Sequence, residues 1–355
     1  MKNIKFYNIY MFISTFTRNI IDLYSVVYLY KLYPSIKTII GIYSLIYFLG
    51  IFISYLSIKL GNKVGYKYIL IFSSIITSIT FVVLNNAKII NTYIVSILLS
   101  LSIFTYHPLK HYYGITLLNK KEKLGISLIL IYLASFFSSY FVIKDIKPII
   151  LIIITIIGII PTLLIEKNIP KKIEYPKNIL PSKIQFFIFD QFRILFLLLE
   201  PLYLYIISKT ISYVGVFNII ITISSIIYLY LITNNKNINI NINIKKYYCY
   251  LNILFVIFLL LKLNITNKII LLIIAFFEGI GIKTNELIST MNLYKIKNLK
   301  LSEKEGYLII SEIIFCSTRA IILFIFYLFN VNLVIMMYIL LIGVFILSFQ
   351  YSPSE

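Results

Sequence analysis

Charged and imidazole side chains recur inside long apolar stretches of this chain, where each must find a partner or water. The cations are Arg18, Lys110, Arg193, Lys283 and Arg319, with His107 and His111 beside Lys110. The acids in the same stretches are Asp22, Asp190, Glu200, Glu278, Glu286 and Glu312. On a helix, Arg18 shares a face with Asp22 and Asp190 with Arg193, so each pair can neutralise itself as an internal ion pair. The alternative chemistry is recognition: a guanidinium presents a planar fork of five donors that suits an anionic or polar solute. Asp22 and Glu278 fall near the middle of their stretches. A carboxylate at that depth can take up and release a proton as its surroundings dry or wet, so Asp22 or Glu278, with Glu312 as a relay, is a candidate carrier of a coupling proton. His107 and His111, one helical turn apart, can titrate near neutrality. No third ligand lies near them in the sequence, and no metal site is expected.

The elements that hold these residues follow from composition. The chain has 355 residues, 60% of them hydrophobic, and a mean hydropathy of +0.94. Apolar runs near 20 residues tile it from end to end, each long enough to cross a hydrocarbon core of about 30 Å. A soluble domain does not leave only short connections between such runs. A membrane barrel needs strands of alternating polarity, and Pro148 to Pro161, PIILIIITIIGIIP, does not alternate. Lys2 and Lys5 precede a long first span, and no short apolar core with a cleavage site follows them, so no signal peptide is read. Cys249 and Cys316 match no metal or redox spacing and are read as packing residues.

Twelve spans are placed near 7–31, 37–60, 66–85, 89–112, 122–143, 147–166, 183–207, 210–232, 246–264, 268–293, 302–329 and 331–350. The proline-broken, basic stretch from Lys167 to Ser182 divides six spans from six, giving bundles at 1–166 and 183–355 joined by a linker at 167–182. The Asn/Ile tract from Asn234 to Lys246 is read as a loop. Most of the 33 Lys and Arg fall at the N-terminus and in alternate loops, the even-numbered ones. By the positive-inside rule both termini are then cytoplasmic. The net charge of +20 is accordingly a topology signal, with lipid headgroups as partners and no nucleic acid. The halves echo each other: laying Val27-Tyr28-Leu29-Tyr30 over Leu202-Tyr203-Leu204-Tyr205 brings Arg18 onto Arg193. Glu122-Lys123-Leu124-Gly125 similarly resembles Glu303-Lys304-Glu305-Gly306.

With those features the chain resembles the major facilitator superfamily of transporters. The local match is the turn between spans 2 and 3, where Asn62-Lys63-Val64-Gly65-Tyr66-Lys67 is similar to the family's cytoplasmic signature of an acidic residue, a basic residue, a variable residue, glycine and further basic residues. Asn62 replaces the usual aspartate and Ile58 stands where a glycine is expected. The first span, with Arg18-Asn19-Ile20-Ile21-Asp22 leading to Tyr28-Leu29-Tyr30, is similar to first spans of prokaryotic members. Tyr106-His107-Pro108 is similar to a His-Pro pair in some efflux members. The glycine- and proline-bearing antiporter signature of span 5 is missing, because Leu124 to Ile143 holds only Gly125 and no proline.

The resemblance implies an all-α polytopic membrane protein: 12 transmembrane helices in two six-helix bundles related by pseudo-two-fold symmetry. It also implies that spans 1, 4, 7 and 10 line a central cavity. Four of the five charge-bearing spans are those four. Arg18, Asp22, His107, Arg193, Glu200 and Glu278 are then the candidate cavity residues, and Asn62, Lys63, Gly65 and Lys67 the signature turn. The expected function is secondary transport of a small polar or anionic solute by alternating access, coupled to protons, in a monomeric multi-pass plasma-membrane protein without cofactor. Drug efflux, a lipid or oligosaccharide flippase and a membrane-embedded transferase are the alternatives. The transferase is disfavoured because the longest non-membrane segment, the linker, carries no acidic or histidine cluster. With no nucleotide-binding loop of the Walker type, energy would come from a gradient.

Overall fold

Helices begin and end where the sequence supplies a cap or removes a donor. A computed structural model describes the backbone of residues 2–85, 92–117, 121–144, 148–165, 172–176, 181–234, 240–294 and 300–349. Within those segments the side chains of 2–5, 22–24, 85, 114–117, 121–128, 148, 181–183, 232–234, 240–247, 287–294 and 301–302 are outside the description. The described residues form α1 (Lys2–Leu32), α2 (Ile36–Val64), α3 (Tyr66–Asn85), α4 (Thr92–Leu117), α5 (Lys121–Ile143) and α6 (Pro148–Leu163). They continue as α7 (Pro181–Ser208), α8 (Ile211–Asn234), α9 (Ile240–Asn264), α10 (Lys268–Tyr294), α11 (Leu301–Leu328) and α12 (Leu333–Phe349).

Pro34 follows the end of α1, and the Ser35 hydroxyl then accepts from the Thr38 amide at 3.3 Å to start α2. Asn267 caps α10 by accepting from the Ile269 amide at 2.9 Å, and Asn332 caps α12 by accepting from the Val334 amide at 2.9 Å. The break between α2 and α3 rests on Gly65, whose φ of 121° is open to glycine and strained for other residues. Its amide closes the last turn by donating to the Gly61 carbonyl at 2.9 Å.

The chain divides into two compact units. The first comprises residues 1–134, 145–179 and 297–331, and so holds α1 to α4, the first part of α5, α6 and α11. Within it α2 packs against α4 and α11, and α3 against α4 and α6. A linker segment also belongs here: Ile173 packs on Ile58 of α2 and on Leu308 and Ile309 of α11. At Gly306 the Glu174 carbonyl passes so near the helix that a Cβ would collide with it. The second unit comprises residues 135–144, 180–296 and 332–355. There α10 packs against α8 and α9, and α12 against α7 and α9.

Polarity in both units runs opposite to that of a water-soluble core. Ser73, Ser100, Ser102, Ser225 and Asn252 are buried, while Phe52, Ile153, Ile160, Phe324 and Ile342 are exposed. Apolar surface of that extent is stable only against lipid or a partner. Six helices among the described residues, α2, α3, α4, α7, α8 and α11, are long and apolar enough to cross a membrane.

Candidate functional site

In the first unit, Arg18 of α1 is 2% exposed. One guanidinium nitrogen donates to the Ser102 carbonyl and the other to the Ser73 hydroxyl. These partners belong to a hydroxyl cluster that ties α3 to α4. Thr77 and Ser102 bond at 2.9 Å, Thr105 donates to Ser73 at 2.8 Å, and Ser73 donates to the Ser102 carbonyl at 3.3 Å. The plane of Arg18 also lies 4.0 Å from the centroid of the Tyr106 ring, within range of a cation–π contact. The side chain of its expected partner Asp22 lies outside the described residues. His107 is half-buried, with its ring 5.4 Å from Tyr106 in an edge-to-face contact. Lys110 is half-buried, and its carbonyl accepts from the Tyr7 hydroxyl at 3.1 Å.

On α11, Glu312 and Arg319 are two turns apart, and Glu312 is buried and feels the positive charge of Arg319. Arg319 lies 5.2 Å from the Tyr47 ring of α2. In the signature turn, Asn62 is buried, Lys63 is exposed, and Lys67 donates to the Leu163 carbonyl at 3.3 Å. Glu305 of α11 is buried beside Tyr66 and Tyr112.

The second unit holds the densest set of charges. Asp190 and Arg193 form the ion pair that their spacing predicts, at 2.8 Å, and both are buried. Lys283 pairs with Glu286 at 3.2 Å. Next to them an uncharged chain links three helices. Tyr248 donates to Asn285, Asn285 to Asn252 at 2.8 Å, and Asn252 to Ser348 at 2.8 Å.

Glu200 of α7 and Glu278 of α10 are brought together by Lys262 of α9. Its ammonium donates to Glu200 and, at 2.7 Å, to Glu278. Lys262 and Glu278 are both 0% exposed. The rings of Phe196 and Phe217 flank the ammonium at 5.1 and 5.3 Å. Lys262 lies two residues from the end of α9, where a lysine ordinarily snorkels to water, yet its side chain turns back into the unit. The signal was an acid-bearing helix on each side of it, Glu200 and Glu278, with no other cation assigned to them. Gly279 and Gly281, which follow Glu278, are points of close approach. A Cβ at Gly279 would meet Ser224 and the Ile221 carbonyl of α8, and one at Gly281 the Phe255 ring of α9.

No protein-family model and no curated protein matches the sequence. Solved structures do match it over nearly its whole length. The nucleoside transporter NupG shares 12% identity, with 98% of each chain covered and a TM-score of 0.67. The human organic anion transporter MFSD10 shares 9%, with 99% of each chain covered and a TM-score of 0.65. The chain has the major facilitator fold. A bacterial homologue of the iron transporter ferroportin has the same architecture at 11% identity, with 99% of this chain and 98% of that one covered and a TM-score of 0.59. Identity this low establishes the major facilitator fold alone, and with it a multi-pass helical membrane protein.

Proposed function

We propose that this chain is a secondary transporter that moves a small polar or anionic solute by alternating access, two six-helix bundles rocking about a central site under the drive of a proton gradient. The observation that carries the reading is the placement of buried charge. Arg18, Arg193, Glu200 and Glu278 are all buried, on helices that, in this fold, would line the path of a solute. Intramembrane charges are expensive, and function is the ordinary reason for keeping them. The solved structures of the same fold are named for transport of nucleosides, iron and organic anions. Polar or anionic cargo suits a buried guanidinium such as Arg18, which already binds the Ser73 hydroxyl and the Ser102 carbonyl as a donor. Arg193 already has Asp190.

The test is uptake into proteoliposomes by the purified full-length protein across nucleosides, organic anions, sugars and amino acids, with and without an inward proton gradient. Saturable accumulation of one class that collapses with a protonophore is the expected result. Flux of no class, together with transfer activity on a lipid-linked substrate, would overturn the reading. Within a positive result, Arg18→Gln is expected to lower uptake of an anion about 30-fold or more, the loss of a charge-assisted contact worth about 2 kcal/mol or above.

A further inference from the structure

We propose that the triad Glu200, Lys262 and Glu278 is a one-proton site, with the exchangeable proton held on Oε1 of Glu278. Charge and hydrogen-bond accounting carry this together. Two carboxylates face one ammonium, so the fully ionised triad carries a net charge of −1 in a site where Lys262 and Glu278 are 0% exposed. Among the described residues of the surrounding helices, Arg193 of α7 is ion-paired with Asp190 and Lys268 of α10 is exposed, and α8 and α12 contain no charged residue at all. From α7 the Tyr203 hydroxyl is spent on the Lys262 and Leu263 carbonyls, at 3.2 and 3.1 Å. On α8, Tyr213 donates to the Lys268 carbonyl at 2.8 Å and Tyr228 meets Thr284 at 3.1 Å. Lys283, the other lysine of α10, is engaged with Glu286.

The atoms say where the missing positive charge goes. Oε2 of Glu278 accepts from Lys262, whereas Oε1 is buried and has no hydrogen-bond partner among the described residues. A bare anionic oxygen in that position is the costliest state of the group, and a neutral hydroxyl there costs far less. A metal cation does not fit the same place. It would have to sit beside the Lys262 ammonium and collect several oxygens, and that ammonium is flanked by the Phe196 and Phe217 rings at 5.1 and 5.3 Å. One proton makes the triad neutral, leaving Lys262 ion-paired with Glu200.

That proton also decides which helices are tied together. With Glu278 ionised, the ammonium of α9 holds both α7 and α10; with Glu278 protonated, it holds α7 and relaxes its grip on α10. The site is therefore a switch between neutral and anionic forms with a mechanical output on α10. As the place where the proton gradient acts it rests on the transporter reading. Its occupancy by a proton does not.

Infrared difference spectroscopy on the purified full-length protein, between about pH 5 and about pH 9, reads the proton directly. Expected is a protonated-carboxyl band that shifts in heavy water and disappears in Glu278→Gln. It should persist in Glu312→Gln and be unchanged when sodium is replaced by N-methylglucamine. Lys262→Met, which leaves two carboxylates and no cation, should add a second such band. No band in the native protein, a band left unchanged by Glu278→Gln, or a Glu278-dependent band that sodium displaces would overturn the proposal. Should Lys262→Met fail to fold, the Glu278→Gln comparison decides alone. The two readings fail separately. A Glu278 band without flux of any solute removes the transporter, and proton-driven flux without the band removes the site.

Discussion

Removing the Lys262 side chain would strand two carboxylates in a dry pocket between α7 and α10. Breaking a buried ion pair from one side costs about 3 to 5 kcal/mol, whereas replacing every member by neutral groups of like volume is close to neutral or stabilising. Lys262→Ala is therefore expected to destabilise the detergent-solubilised protein by that amount in a thermal melt. The triple variant Glu200→Gln, Lys262→Met, Glu278→Gln should regain most of it. A triple variant no more stable than Lys262→Ala would mean that the triad's loss is one of packing and not of charge. The residue scale is also where the sequence was hardest to read. Ion pairs set by helical spacing were legible, as Asp190 and Arg193 show. Partnerships between helices were not: nothing in the spacing of Ser73, Thr77, Ser102 and Thr105 names Arg18 as their common guest. Lys262 also misleads, since its place near a helix end is that of an ordinary snorkelling lysine.

At the scale of the helix, glycines decide how closely neighbours approach. At Gly279 a methyl group would press on the backbone of α8 at the Ile221 carbonyl, which cannot turn aside. At Gly41 the same methyl would meet only the edge of the Tyr327 ring, at 3.0 Å, and a ring can yield. Gly279→Ala is expected to lower stability by about 1 to 3 kcal/mol through overpacking. Gly41→Ala should come out near neutral, since the gain of about 0.5 to 1 kcal/mol in helix propensity offsets a small ring shift. Melting curves of the two variants side by side check the contrast, and equal losses would refute it. The helices themselves were the most legible part of the chain. Apolar runs broken by Pro34, Gly65, Asn267 and Asn332 place their ends, because a lost donor, a positive φ or an Asn cap acts locally. The largest displacement is at α9, which starts at Ile240 instead of near 246. There the Asn/Ile tract carries too much polarity to be read as span and too few turn residues to stop a helix.

For the molecule as a whole, the one-sided distribution of lysine makes orientation testable. Reporter fusions at either terminus are expected to be active only when they require the cytoplasm, and a signal from the outer face at either end would reverse the assignment. The likeness of the two halves in sequence is thin, because low-complexity apolar runs align by chance. The resemblance to the major facilitator fold, carried in the sequence by the span pattern and the Asn62–Lys67 turn, is borne out by solved transporters of that fold. The contact between Gly306 and the Glu174 carbonyl has a practical consequence. The stretch 172–176 works as a splint for the second and third turns of α11, so the two places where the polypeptide could be severed around it are not equivalent. Two co-expressed fragments parted after residue 179 keep the splint covalently joined to α6 and should reassemble into a folded particle. Fragments parted before residue 172 leave it tethered to α7 alone, and are expected to reassemble in lower yield and melt earlier.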